Sequence, residues 1–481
     1  MRDEQPAPEK SEVPNFASEE AASETTPPHS RSNRRKMIRT GVIVLILAGI
    51  VISLNPITQA ISAVLEQRAI SSIRASATAS AILYNRGLVR QGGIMDGFDA
   101  AHRRWNPYEQ AITPATINRL RPLWTYNVEM QHPSVPTVAG GMVYVLDGQN
   151  LLVFDATCRQ NCRPLWSYPV TNQLGYAPIV AGDLVYALSV HLEEPASRLT
   201  LLVFDATCRQ DCQPLWTYEL RVPVAPVRML AASERFYLSS ARQVYVFGGH
   251  CRSACRPLGS YAVESDIDAL AAAGDVVYLN TLDKRGSGLS AIDARCVQKC
   301  SALWHYYTTK FTRDASDDGT ALTIGNRVLY VRYGDALAAF DTACRGECQP
   351  LWQYVKRFGL ISHSPAIMAN NLLYLSSIED GVVIFDGNCR KDCRPLGKYK
   401  PRVRDEEVDL PRLQLVAGGV LYLRDADNQL LAFDAACRQN CQSLWSYTDR
   451  SNLDATPVIA NGMIYWLNYP AQQLTALGVP L

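Results

Sequence analysis

Seven near-copies of one phrase constrain this chain more than any other feature. LLVFDATCRQNCRPLWSY at 151–168 returns as LLVFDATCRQDCQPLWTY at 201–218, then in weaker copies at 244–261, 289–306, 337–354, 382–399 and 430–447. The first cysteines of successive copies lie 43 to 50 residues apart. A recurring unit of that length cannot bury its apolar face alone and must stack on its neighbours.

A second phrase lies between the copies, as in PTVAGGMVYVL at 136–146 and TPVIANGMIYWL at 456–467. It carries one Tyr at a fixed point, at 144, 186, 237, 278, 330, 374, 422 and 465, so it occurs eight times. Its central Gly-Gly, Gly-Asp, Asn-Asn or Asn-Gly pair suits the positive φ of a tight hairpin turn. Each unit therefore reads as four short strands: A (PTVA-like), B (VYVL-like), C (LLVFD) and D (PLWSY). Four such strands make one blade of a β-propeller. An eighth D phrase, PLWTY at 122–126, precedes the first A–B hairpin, and the last unit ends at LTALG, 474–478, with no D strand after it. The expected fold is all-β: an eight-bladed propeller of four-stranded blades. Strand 122–128 closes the ring by completing a three-plus-one final blade, which removes exposed sheet edges.

The fourteen cysteines form seven C-x-x-x-C pairs, each in a C–D connection: Cys158 with Cys162, Cys208 with Cys212, Cys251 with Cys255, Cys296 with Cys300, Cys344 with Cys348, Cys389 with Cys393, and Cys437 with Cys441. A zinc site needs four ligands brought together. Here neighbouring pairs fall on different blades, and no His recurs at a fixed offset. Redox chemistry uses C-x-x-C at a helix start in a single copy. Local disulfides in an oxidising compartment are the expected state.

Residues 1–36 are rich in Glu, Ser, Pro and Ala without apolar periodicity, the composition of a disordered tail. Arg31, Arg34, Arg35, Lys36 and Arg39 precede an uncharged run from Thr40 to Leu65, strongly apolar from Gly41 to Leu54. That run is long enough for a transmembrane helix. The basic cluster places the tail in the cytoplasm and the rest outside, extracellular or periplasmic. The organisation expected is a cytoplasmic tail 1–36, a single-pass signal anchor 37–65, a linker and entry segment 66–117, and the propeller 118–481. A net charge of +1 argues against a nucleic-acid partner.

The blade phrase resembles the quinoprotein-type (PQQ-like) propeller repeat, whose blades end in a pattern like ALD-x-x-T-G-K-x-x-W. VFDATCRQNCRPLW is the counterpart, with the Cys loop in place of Thr-Gly-Lys. GFDAAHRRWNPYEQAITPATINRLRPLWTY at 97–126 is similar to the entry segment of the quinoprotein alcohol dehydrogenase-like superfamily. The resemblance spans about 97–478 and implies eight blades. It admits pyrroloquinoline quinone and calcium near the propeller axis as possible cofactors. In the family's enzymes these accompany an adjacent Cys-Cys disulfide, a catalytic Asp and a Trp beneath the cofactor. This chain has no adjacent Cys pair, and no segment matches the catalytic Asp or the calcium ligands. Non-catalytic scaffolds, such as an outer-membrane assembly lipoprotein, share the form. No catalytic residue and no metal ligand is assigned.

Asp155, Asp205, Asp293, Asp341, Asp386 and Asp434 recur at one station, as turn-starting residues do. Trp124, Trp166, Trp216, Trp304, Trp352 and Trp445 resemble the family's inter-blade packing tryptophans. Gly259 and Gly397 replace Trp in two blades, where looser packing is expected. Irregular positions remain as pocket or cation candidates: His363 and Asp454 near starts of strand A, and the run Asp314, Asp317, Asp318. The expected function is a membrane-anchored, non-enzymatic binding or scaffold module for a protein, an envelope polymer or a small ligand. The alternative is a diverged quinone-dependent dehydrogenase.

Overall fold

The computed structural model describes residues 95–480, apart from 130–133, 194–195, 223–226, 283, 310–320, 334–335, 356–364, 404–405, 409–410, 449–455 and 469–470, and four residues between 64 and 71. Contacts divide the chain into Met1–Ala69 and Ile70–Leu481, and the fold described is that of the second unit. No helix among the described residues is long and apolar enough to cross a membrane. The expected anchor, with its core Gly41 to Leu54, lies outside the described residues, as do Asp314, Asp317, Asp318, His363 and Asp454.

Eight antiparallel sheets of the A-B-C-D pattern follow one another along the chain. Blades 1 to 7 span 137–169, 179–222, 227–262, 267–308, 321–355, 367–399 and 412–447. Blade 8 takes Val458–Ala460, Met463–Asn468 and Gln473–Gly478 from the C-terminus and Arg121–Asn127 from the N-terminal side. Trp124 pairs with Ala476 across that junction. The ring is closed in the three-plus-one manner that the strand count implies.

Local chemistry sets each blade. The inner A–B hairpins turn on two residues, and in six of the eight both have positive φ, as at Asn326 (51°) and Arg327 (61°). That is the turn whose twist matches a right-handed strand pair. The B and C strands are buried on both faces, as in Met142–Leu146, because each sheet is covered by a blade on either side. The D strands alternate, as in Trp166–Pro169, where Trp166 is buried and Ser167 and Pro169 are exposed.

Aromatic stacking joins blade to blade. Trp166 of blade 1 lies 5.6 Å from Phe204 of blade 2, and Trp216, Trp304 and Trp352 meet Phe247, Phe340 and Phe385 at 6.0, 5.9 and 5.4 Å. Trp124 of blade 8 stacks on Phe154 of blade 1 at 5.6 Å and continues the series through the closure. Trp445 lacks a following Phe: it is only half-buried, and it stacks on Tyr447 at 6.0 Å. Packing at the two glycines differs from the expectation. A Cβ on Gly259 would stand 2.2 Å from the Val297 carbonyl oxygen, and one on Gly397 3.3 Å from that of Arg438. The next blade's loop moves into the space a Trp would fill, so these sites are closed rather than loose.

Candidate functional site

The loops on the A–B-turn side of the ring are built from repeated polar contacts. In six of the seven stapled loops an Asp ends strand C and accepts the N–H two residues on, as Asp155 accepts Thr157 N–H at 2.7 Å. Asp205, Asp293, Asp341, Asp386 and Asp434 do the same at 2.7 to 2.9 Å. These carboxylates cap turns, and Asp205 and Asp341 also pair with Arg252 and Arg390. Seven disulfides link Cys158–Cys162 through Cys437–Cys441, with Cα separations of 5.7 to 6.2 Å. The fourteen cysteines are thereby all paired within their own loops.

The Arg that follows the first Cys reaches back to the preceding blade. Arg159 donates to the Asn461 carbonyl of blade 8, Arg209 to Gly140 of blade 1, and Arg390 to Asn326 of blade 5, at 3.3, 3.2 and 3.0 Å. Arg252 pairs with Asp183 of blade 2 and with Asp205. The strand-B tyrosines reach forward. Tyr144 donates to the Ala206 carbonyl at 3.3 Å, Tyr237 to Ala294 at 2.6 Å and Tyr465 to Ala156 at 3.0 Å. Tyr186, Tyr278, Tyr330 and Tyr374 make the same bond to Gly249, Thr342, Gly387 and Ala435. Burial raises the pKa of all of these tyrosines, that of Tyr278 to about 12, so they stay hydroxyl donors.

The centre of the ring is not an open bore. The chain from Met95 to Asn106 runs inside it. The inner strands of blades 4, 5, 6 and 7 present one equivalent N–H each, from Ala272, Ile324, Met368 and Val416. These donate in order to the carbonyls of Ala100, Ala101, Arg103 and Arg104, at 2.6 to 3.0 Å. Trp105–Asn106 then pairs in parallel with the inner strand of blade 7, and the Asn106 amide donates to the Ile459 carbonyl of blade 8 at 2.7 Å. Met95 and Ala100 join the core of blades 2 to 4, and Phe98 packs against that of blades 8 to 2. The segment is bent tightly: Gly97, Phe98, His102 and Arg104 all have positive φ, and Arg104 N–H closes onto the Gly97 carbonyl.

Charged side chains line the segment in pairs. Asp99, buried, holds Arg103 at 2.6 Å, and Asp96 meets Arg104 at 3.4 Å. Burial lowers the His102 pKa, against the pull of Asp96, so the ring is neutral. A cleft of about 720 Å³ remains at the A–B-turn end. Its wall includes Asp99, Arg103, Glu234, Asp275 and Arg327. At the opposite end, where inner strands begin, a small pocket of about 50 Å³ lies beside Phe98, Arg104 and Gln414.

The level of the inner strands is taken by the chain itself. Among the described residues no group of three or more His, Cys, Asp or Glu side chains could hold a metal ion. The residues that repetition singles out therefore fasten blades together, and those that shape the interior come from the one non-repeating stretch. Its departure from the repeat, in FDAAHRRWNPYE at 98–109, was the available signal.

A family model described as outer membrane protein assembly factor BamB matches residues 121–388, more than half of the chain. No curated protein matches. Similar solved structures include Sqt1 from Saccharomyces cerevisiae, 10% identical over 76% of this chain and 100% of its own, with a TM-score of 0.49. Sqt1 from Chaetomium thermophilum is 11% identical over 71% and 94%, at 0.44. Kluyveromyces lactis Hsv2 is 8% identical over 68% and 99%, at 0.39.

Proposed function

We propose, because this chain belongs to the PQQ-like β-propeller repeat family, that it is a membrane-anchored module that binds another protein on its loop faces and catalyses no reaction. The observation that carries this reading is the filled centre. A quinone-dependent member needs the axis free, whereas here Ala100, Ala101, Arg103 and Arg104 are bonded to the inner strands of four blades. Loop-lined faces are what remain for recognition. The description of the matching family model, a protein assembly factor, supports a protein as the occupant. The uncharged run Thr40 to Leu65 behind its basic cluster supports anchorage with the propeller outside the cytoplasm. Seven local disulfides support the same side of the membrane.

The test uses the full-length chain, cross-linked in membranes and then purified. A protein partner should be enriched, and its recovery should fall when Glu234, Asp275 and Arg327 at the cleft are replaced by Ala. The same preparation, incubated with pyrroloquinoline quinone and calcium, should retain no quinone absorbance. Stoichiometric retention of quinone together with dye-linked oxidation of an alcohol or sugar would overturn the reading.

A further inference from the structure

Four arginines of the stapled loops, Arg159, Arg209, Arg252 and Arg390, hold the A–B turn of the preceding blade. Two successive loops break that rule. Blade 4 has Val297 where the Arg would stand. Blade 5 has Arg345, but its guanidinium donates to the Cys344 carbonyl of its own loop at 2.7 Å. The cause there is local. Gly346, with a φ of 78°, lets the loop run out along blade 4, where Gly346–Glu347 pairs in parallel with Trp304 and His305. Arg438 of blade 7 also bonds Ala435 and Cys437 of its own loop, but the blade 6 turn, Asn370 and Asn371, carries no charge.

The two unheld turns of blades 3 and 4 carry acids. The second turn residue is Asp183 in blade 2, Glu234 in blade 3 and Asp275 in blade 4. Arg252 reaches from blade 3 to Asp183 and also meets Asp205, so one guanidinium bridges two carboxylates. Glu234 and Asp275 make no side-chain hydrogen bond or ion pair among the described residues. Both are exposed, and both stand on the wall of the cleft of about 720 Å³. The Ser233 hydroxyl donates to the Gly274 carbonyl at 2.6 Å, which ties their two turns side by side. The cations nearby are engaged or set apart. Arg295 feels the charge of Asp275 but is bonded to Asp293 at 3.1 and 3.0 Å. Arg103 is bonded to Asp99, and Arg327 stands on blade 5, beyond Asp275 from Glu234.

We propose that this cleft receives an arginine side chain of the protein partner, held by Glu234 and Asp275 in the place of the missing loop arginine. The proposal rests on the reading of the propeller as a protein-binding module. Arg252 on Asp183 and Asp205 is the template within the same ring. A guanidinium has a planar fork of donors that can serve two carboxylates at once, which the point charge of a lysine matches less well.

The test is fluorescence polarisation with the purified full-length chain and two labelled, capped pentapeptides. One has a central arginine among alanines, and its twin has citrulline there, the same shape without the charge. The arginine probe should bind about tenfold more tightly than its twin, with a preference that fades as salt rises. In the double variant Glu234→Gln, Asp275→Asn the twins should bind alike. Asp183→Asn, at the station already held by Arg252, should keep the preference. Twins that bind alike, or not at all, to the unsubstituted chain overturn the proposal, and so does a preference that survives in the double variant. A partner recovered by cross-linking while the twins bind alike would leave the protein-binding reading standing and sink this one alone.

Discussion

The hydroxyl of Tyr237 donates to the main-chain carbonyl of Ala294 at 2.6 Å, across the boundary between blades 3 and 4. Tyr237→Phe leaves that carbonyl without its donor inside the protein. The cost should be about 1–2 kcal/mol, read from chemical denaturation. Tyr422→Phe removes a hydroxyl that has no partner among the described residues and should change stability by less than about 0.5 kcal/mol. Equal losses at the two sites would contradict the contact pattern.

Trp304 is 1% exposed and stacks on Phe340, so Trp304→Ala should cost about 3–5 kcal/mol. Trp445 is half-buried and has no Phe in the following blade, so Trp445→Ala should cost clearly less. Thermal unfolding of the two variants side by side gives the order.

Gly418 and Gly140 share a φ of +57°, but only Gly418 has a neighbour within 4 Å of an added Cβ. Gly140→Ala should therefore show the backbone term alone, about 1–2 kcal/mol. Gly418→Ala should add displacement of Ile112, visible as faster exchange of 109–120.

Peptide mapping without reduction should return links between cysteines four apart, such as Cys208–Cys212. Replacing that pair by Ser should cost about 2 kcal/mol at most, because the loop it closes is only five residues long. Links between blades, or free thiols, would contradict the structure.

The blade count and its closure are legible in the sequence because each follows from short-range pattern: the Tyr of strand B recurs eight times, the Cys pair seven, and PLWTY at 122–126 stands alone. The placement of Trp166 against Phe204 follows from the same repetition. The interior path is not legible. Ala100 meets Ala272, and Arg104 meets Val416, through main-chain groups that every residue possesses, so no side-chain pattern announces either contact. The tight approach at Gly259 is hidden in the sequence for a related reason. Removal of a Trp reads as a void in one blade, and the loop that fills it, at Val297, belongs to the next.

The closure also sets an order of events. Gln473 bonds Asn127 across 346 residues, so blade 8 cannot form until the last stretch of chain has been made. Each staple needs only its own loop. Oxidation can therefore proceed blade by blade during synthesis while the ring is still open. A chain shortened by its final six-residue strand would then emerge fully oxidised yet unclosed, with strand 121–127 deprived of the edge it pairs with.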